Sequence, residues 1–94
     1  MISAIVLINA EVDRIPEVAT AIADLNGVSE VYSVTGDVDL IAIVRVRHHE
    51  ELADVIADQL NKVSGVQGTQ THIAFRTYSK HDLEAAFSLG LDDA

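Results

Sequence analysis

A glycine and two carboxylates within four residues, Gly36-Asp37-Val38-Asp39, form the stretch of this chain best suited to meet a small charged ligand. Glycine lets a backbone approach a ligand closely, and the Asp37 and Asp39 carboxylates can accept charge-assisted hydrogen bonds from an ammonium group. The same letters also make a common hairpin turn, in which the aspartates only face water. Thr69, Gln70, Thr71 and His72 are the second candidate set. Their hydroxyls, amide and imidazole could hold a ligand carboxylate or side chain, although threonine is also favoured at an ordinary sheet edge. The four histidines, His48, His49, His72 and His81, show no metal-site spacing. No His-x-x-x-His pair falls on a helix, and the adjacent His48 and His49 cannot readily share one ion, so neither metal nor cofactor is expected. No nucleophile–base pairing and no phosphate-binding loop is visible, so the chain is not expected to be an enzyme.

Composition narrows the partners. Fifteen Asp and Glu stand against six Lys and Arg, a formal net charge of −9. That balance opposes contact with phosphate backbones or anionic lipid. Arg45, Arg47, Arg76 and Lys80 could form a small basic edge, but without interleaved aromatics they read as solvated charge or interface pairing. Cysteine is absent, which removes disulfide and thiolate chemistry. No apolar run approaches the ~20 residues of a membrane span. Residues 2–8 lack the basic leader and small-residue cleavage site of a signal peptide, so a cytoplasmic location is expected. With 94 residues there is room for one core, and 49% hydrophobic residues argue against disorder. A chain of this size buries roughly 60–70% of its unfolded surface, a thin margin.

The elements that must position these residues follow from periodicity. Residues 40–46, directly after the acidic corner, are rich in β-branched side chains and too short for a typical helix, so they read as a strand. Leu40, Ala42, Val44 and Val46 fall on one face, Ile41, Ile43, Arg45 and Arg47 on the other. Residues 2–9 form a similar strand, with Ala4, Val6 and Ile8 opposite Ile5 and Leu7. Pro16 suits the first turn of a helix over 15–26, whose stripe is Val18, Ile22 and Leu25 and whose stop is Gly27. Residues 28–35 give a more polar, edge-like strand, and the acidic corner turns it back into 40–46 as a hairpin. A second helix opens at His48-His49-Glu50-Glu51, with Leu52, Val55, Ile56, Leu60 and Val63 as its stripe and Gly65 as its end. A long Thr-rich strand spans 66–78, and a short helix from 79 or 80 to 89 uses Leu83, Ala86 and Phe87. This divides the chain into a domain over 1–79 and a C-terminal helix and tail over 80–94.

One internal echo fixes the architecture. Leu25-Asn26-Gly27-Val28 and Val63-Ser64-Gly65-Val66 each end a helix and begin a strand at the valine. Two such units in tandem give β-α-β-β-α-β, an α+β, ferredoxin-like fold with one four-stranded antiparallel sheet and two helices on one face. The first and third strands are then central, and they are the two that are apolar on both faces. Helices cover only one face, so the side carrying Ile41, Ile43 and either Ile5 or Leu7 calls for a second copy. At ~25 cal/mol per Å² of apolar surface, leaving it wet would forgo several kcal/mol. A homodimer at least is expected.

Taken in order, V-T-G-D-V-D-L-I-A-I-V-R-V (34–46), L-x-x-V-I (52–56), L-x-x-V-x-G-V-x-x-T-x-T (60–71) and I-A-F-x-x-Y-S (73–79) resemble the effector domain of Lrp/AsnC, or feast/famine, transcription regulators. The resemblance covers nearly the whole chain to about Ser79. It implies a ferredoxin-like domain that dimerises through its sheets, assembles into octamers or similar rings, and binds an amino-acid effector between neighbouring dimers. Carried over by position, the implied pocket uses Gly36, Asp37 and Asp39 with Thr69, Gln70, Thr71 and His72. Asp37 would meet the α-ammonium group, and Thr71 or backbone N–H groups would lie near the carboxylate. The family often has an aromatic where Val38 stands. Because the first strand starts at Ile2, a stand-alone form without the helix-turn-helix is expected. It would sense amino acids directly or join full-length Lrp/AsnC regulators, without gripping DNA itself. Three other classes share the topology. An ACT-like module would want a glycine-containing loop after the first strand, which residues 9–16 lack. A cofactor-free monooxygenase fits poorly with two Phe, two Tyr and no Trp. A ligand-free assembly module is the fourth reading.

Overall fold

The structure, a computed structural model, describes residues 1–78. Its elements are β1 (Ile2–Ala10), a 3-10 turn (Val12–Arg14), α1 (Ile15–Ala23), β2 (Val28–Ser33), β3 (Leu40–Val46), a composite second helix α2 (residues 49–62), and β4 (Val66–Ile73). The strands form one antiparallel sheet in the order β2-β3-β1-β4. This is the expected ferredoxin-like arrangement, with the two doubly apolar strands at its centre. No helix among the described residues is long and apolar enough to cross a membrane.

The strand alternation sorts the two faces as the pattern requires. Ala4, Val6, Ile8 and Ala10 of β1 and Leu40, Ala42, Val44 and Val46 of β3 are buried. They pack with Val18 and Ile22 of α1 and with Leu52, Val55 and Leu60 of α2. Each fully buried Val, Leu or Ile contributes about 1.5–3 kcal/mol relative to exposure. Among the described residues no helix covers the opposite face. Residues paired across strands share a face. The register therefore builds two rows there, Tyr32–Ile41–Leu7–Gln70 and Glu30–Ile43–Ile5–His72. Leu7, Ile41 and Ile43 are only half-buried, while Ile5 is 39% and Tyr32 49% exposed. Ile5 and Leu7 thus both belong to the open side.

The internal echo is present atom for atom in the backbone. Leu25 N–H donates to Ile22 O and Val28 N–H to Leu25 O; Val63 N–H donates to Leu60 O and Val66 N–H to Val63 O. Both turns end on a left-handed glycine, Gly27 at φ 95° and Gly65 at φ 98°. Each glycine is seated against the other unit's helix. A Cβ on Gly27 would lie 2.9 Å from Val55 Cγ2, and one on Gly65 would lie 2.6 Å from Val18 Cγ2.

Four boundaries differ from the sequence reading. The first helix stops at Ala23 rather than residue 26, because Leu25 and Val28 take the tighter i−3 bonds just described. β2 stops at Ser33, where the hairpin loop begins. The second helix is not uniform: it is α over His49–Leu52, π over Ala53–Gln59 and 3-10 over Leu60–Lys62. Val55 and Leu60, both buried, are five apart, a spacing that i→i+5 bonding brings nearer to one line than i→i+4 bonding does. β4 ends at Ile73 instead of running to 78. Ala74 N–H still donates to Ser3 O at 2.9 Å, but β1 starts at Ile2, so the chain beyond has no strand to pair with. The helix expected from 79 or 80 to 89, and with it the 80–94 segment, lies outside the described residues.

Candidate functional site

The acidic corner is a six-residue loop, 34–39, fastened by its last member. Val34 N–H donates to Asp39 O at 3.1 Å, and Asp39 N–H donates to Ile8 O at 2.9 Å. The Asp39 carboxylate reaches across to the end of β1, where its Oδ2 accepts the Ala10 N–H at 2.9 Å. The two aspartates therefore have different work. Asp39, half-buried, ties the loop to the central strand, while Asp37 is exposed. No protein group among the described residues hydrogen-bonds or ion-pairs with the Asp37 carboxylate. Gly36 sits at φ 110°, a left-handed conformation that suits glycine, and nothing lies within 4 Å of where its Cβ would be. A fixed loop thus presents a free carboxylate beside bare backbone.

The second candidate set splits between the faces of β4. Thr69 and Thr71 pair with Ile8 and Val6, and so lie on the helix side; Gln70 and His72 pair with Leu7 and Ile5, on the open side. Thr69 Oγ1 donates to Asn61 Oδ1 at 2.7 Å, while Gln70, Thr71 and His72 are exposed. The corner and this run occupy the same end of the sheet, through the row Leu40–Ile8–Thr69. β1 stands between them, however, and separates β3 from β4 by two strand spacings, about 9–10 Å. A shallow hollow of about 260 Å³ at Thr69 is lined by Asn61, Val66, Gln67 and Gly68, and does not include the corner. Among the described residues this hollow reaches Thr69 alone of the seven.

Other features were not legible from residue types. Asn61 and the Ala10 N–H hold Thr69 and Asp39, but a helical asparagine and a backbone amide carry no signal in a sequence. On the open face Arg45 lies 3.5 Å from Glu30, and hydrogen bonding to Glu30, reinforced by its charge, raises the Tyr32 phenol above its ordinary value. No group of three or more His, Cys, Asp or Glu among the described residues is placed to hold a metal ion.

Known proteins share the sequence pattern and the fold. The family model described as the Lrp/AsnC ligand binding domain matches residues 3–83. The HTH-type transcriptional regulator FL11 of Pyrococcus horikoshii is 32% identical over 77 residues, 82% of this chain and 50% of its own length. The chain thus spans about half the length of such relatives. TTHA0845 from Thermus thermophilus superposes with a TM-score of 0.80 at 46% identity, over 85% of this chain and 100% of that one. The transcriptional regulator NMB0573 of Neisseria meningitidis, solved as its L-Met complex, shares the fold with a TM-score of 0.74 at 16% identity, over 83% of this chain and 52% of that one.

Proposed function

The chain belongs to the Lrp/AsnC ligand-binding-domain family, and from that premise we propose that it is an amino-acid-sensing module acting in transcription regulation in the cytoplasm. The observation that carries the reading is the exposed Asp37 carboxylate, without a hydrogen-bond or ion-pair partner among the described residues, on a loop that Asp39 fixes to β1. An α-ammonium group is its natural complement: a charge-assisted hydrogen bond to a preorganised carboxylate needs no rearrangement of the loop. That NMB0573 was solved with L-Met supports the choice of an α-amino acid as ligand class.

A complete pocket needs more than one copy. The uncovered face with Ile5, Leu7, Ile41 and Ile43 pairs with the same face of a second copy. Further copies, closing an octamer or similar ring, then bring Gly36, Asp37 and Asp39 of one subunit near Thr69, Gln70, Thr71 and His72 of another. Regulation passes through association with full-length Lrp/AsnC regulators, whose DNA binding the mixed assembly alters. The domain itself, with an excess of nine negative charges, makes no direct nucleic-acid contact.

The test is a thermal-shift screen against the twenty amino acids, run with native mass measurement. A ligand that binds only the folded form raises apparent stability by RT ln(1 + [L]/Kd). At least one amino acid should stabilise the wild type, and Asp37→Ala should lose that response while keeping its assembly. A variant that responds as the wild type does removes Asp37 from the site. A wild type that responds to none leaves a ligand-free assembly module.

A further inference from the structure

Among the described residues the buried core contains no aromatic ring. The three aromatic residues among those described, Tyr32, Phe75 and Tyr78, are 49%, 102% and 72% exposed, while the buried core is entirely aliphatic. Two of them follow the end of β4 in the run Phe75-Arg76-Thr77-Tyr78, where Ile73 is also 52% exposed. The strand ends at Ile73, the Ala74 N–H to Ser3 O bond is the last backbone tie to β1, and residues 75–78 are all exposed. Large exposed aromatic rings are typical anchors of an interface.

A receptor of fitting size and chemistry lies at the same end of the sheet. Ser3, which holds the root of this arm, pairs on its other side with Arg45, at the wall of a hollow of about 510 Å³. Met1, Val46 and Val55 give the hollow apolar surface, and Arg45, Arg47, Glu51 and Asp54 give it charge of both signs, with Glu51 Oε2 accepting the Arg47 N–H at 3.3 Å. The π-helical turn supplies Asp54 and Val55, and π segments are frequent at functional sites. Apolar walls suit Phe75 and Tyr78, the Arg47 guanidinium suits a ring face, and the carboxylates of Glu51 and Asp54 suit Arg76. Charge strengthens the match. Copies of a chain with a net charge of −9 repel one another, and the arm carries one of only six Lys and Arg.

We infer that the 73–78 arm is an exchange arm that seats Phe75, Arg76 and Tyr78 in the π-helix hollow of a second copy. The contact is separate from the acidic corner, at the opposite end of the sheet, and does not rest on the amino-acid reading. Light scattering of the full chain over a dilution series tests it. The double variant Phe75→Ala/Tyr78→Ala should self-associate about tenfold more weakly or worse, as loss of paired aromatic anchors does. Arg76→Asp and Asp54→Lys should each weaken association, and the two together should restore it. Both positions are exposed, so these variants fold, which circular dichroism verifies. Wild-type association of the aromatic double variant overturns the inference. So does failure of the charge swap to restore association, or restoration seen only as compaction of a single copy.

Discussion

Asp37 and Asp39 look alike in the sequence, and the structure gives them separate tasks. Asp39 accepts the Ala10 N–H and closes the loop; Asp37 faces outward. Asp39→Ala strands a partly buried amide and should cost about 1–3 kcal/mol in urea unfolding at fixed protein concentration. Asp37→Ala should stay within about 0.5 kcal/mol of the wild type. Equal losses for the two would deny the division of labour. Residue types made this corner findable, because glycine and carboxylates advertise turns and cation binding. They could not say which carboxylate was already engaged, since that depends on a strand 29 residues earlier in the chain. Tyr32 makes the same point on the open face. Hydrogen bonding to Glu30 favours its neutral form in the folded chain, so its pKa lies above 10.0. A raised folded value means the contribution is complete below pH 10 and fades as pH climbs through that folded value. An ultraviolet titration in a Tyr78→Phe background should show late ionisation, and Glu30→Gln should bring it back toward the ordinary phenol. An unshifted curve in both backgrounds would remove the contact.

At the scale of elements, the two valine-led turns show how far a pattern reaches. That Gly27 and Gly65 stop helices was readable from their place after an apolar stripe. That each one is pressed against the partner unit's helix was not, because the close approach to Val55 and Val18 arises only when the units pack. The consequence is a graded series. Gly36→Ala meets strain alone, about 1–2 kcal/mol for a left-handed residue, since open space surrounds it. Gly27→Ala and Gly65→Ala add a clash at 2.9 and 2.6 Å, and overpacking of this kind costs about 1–3 kcal/mol more. Thermal unfolding should rank Gly65→Ala as the most damaging and Gly36→Ala as the least. A flat series would mean the helices yield freely. β4 and the second helix were misjudged for a related reason. Thr-rich residues up to 78 have strand propensity, but a ladder needs a neighbour, and β1 had run out. The π turn likewise answers to the separation of Val55 and Leu60 in the packed core, which local periodicity blurs.

Across the whole molecule, the sheet itself was legible because β1 and β3 are apolar on both sides, and only central strands of a covered sheet profit from that. The candidate site was less legible for the same reason that the proposed function calls for assembly. Its two halves sit on β3's approach and on β4, with β1 between them, so the chain's own topology keeps them apart. In the proposed assembly another copy joins them, the first of them docking on the open face. Ile43 is the sharpest probe of this. It lies in the row with Ile5 and His72, half-buried, away from the aliphatic core on the helix side. A glutamate there leaves the helix-side packing intact, so the fold should persist with its circular dichroism unchanged. Between two copies, however, it would bury carboxylates without partners, which costs several kcal/mol and exceeds what a small apolar patch returns. Ile43→Glu should therefore self-associate more than about tenfold more weakly than the wild type when sedimented at micromolar concentration. An unaltered assembly carrying that charge would mean the uncovered face meets water in the working protein, and that copies are held together elsewhere.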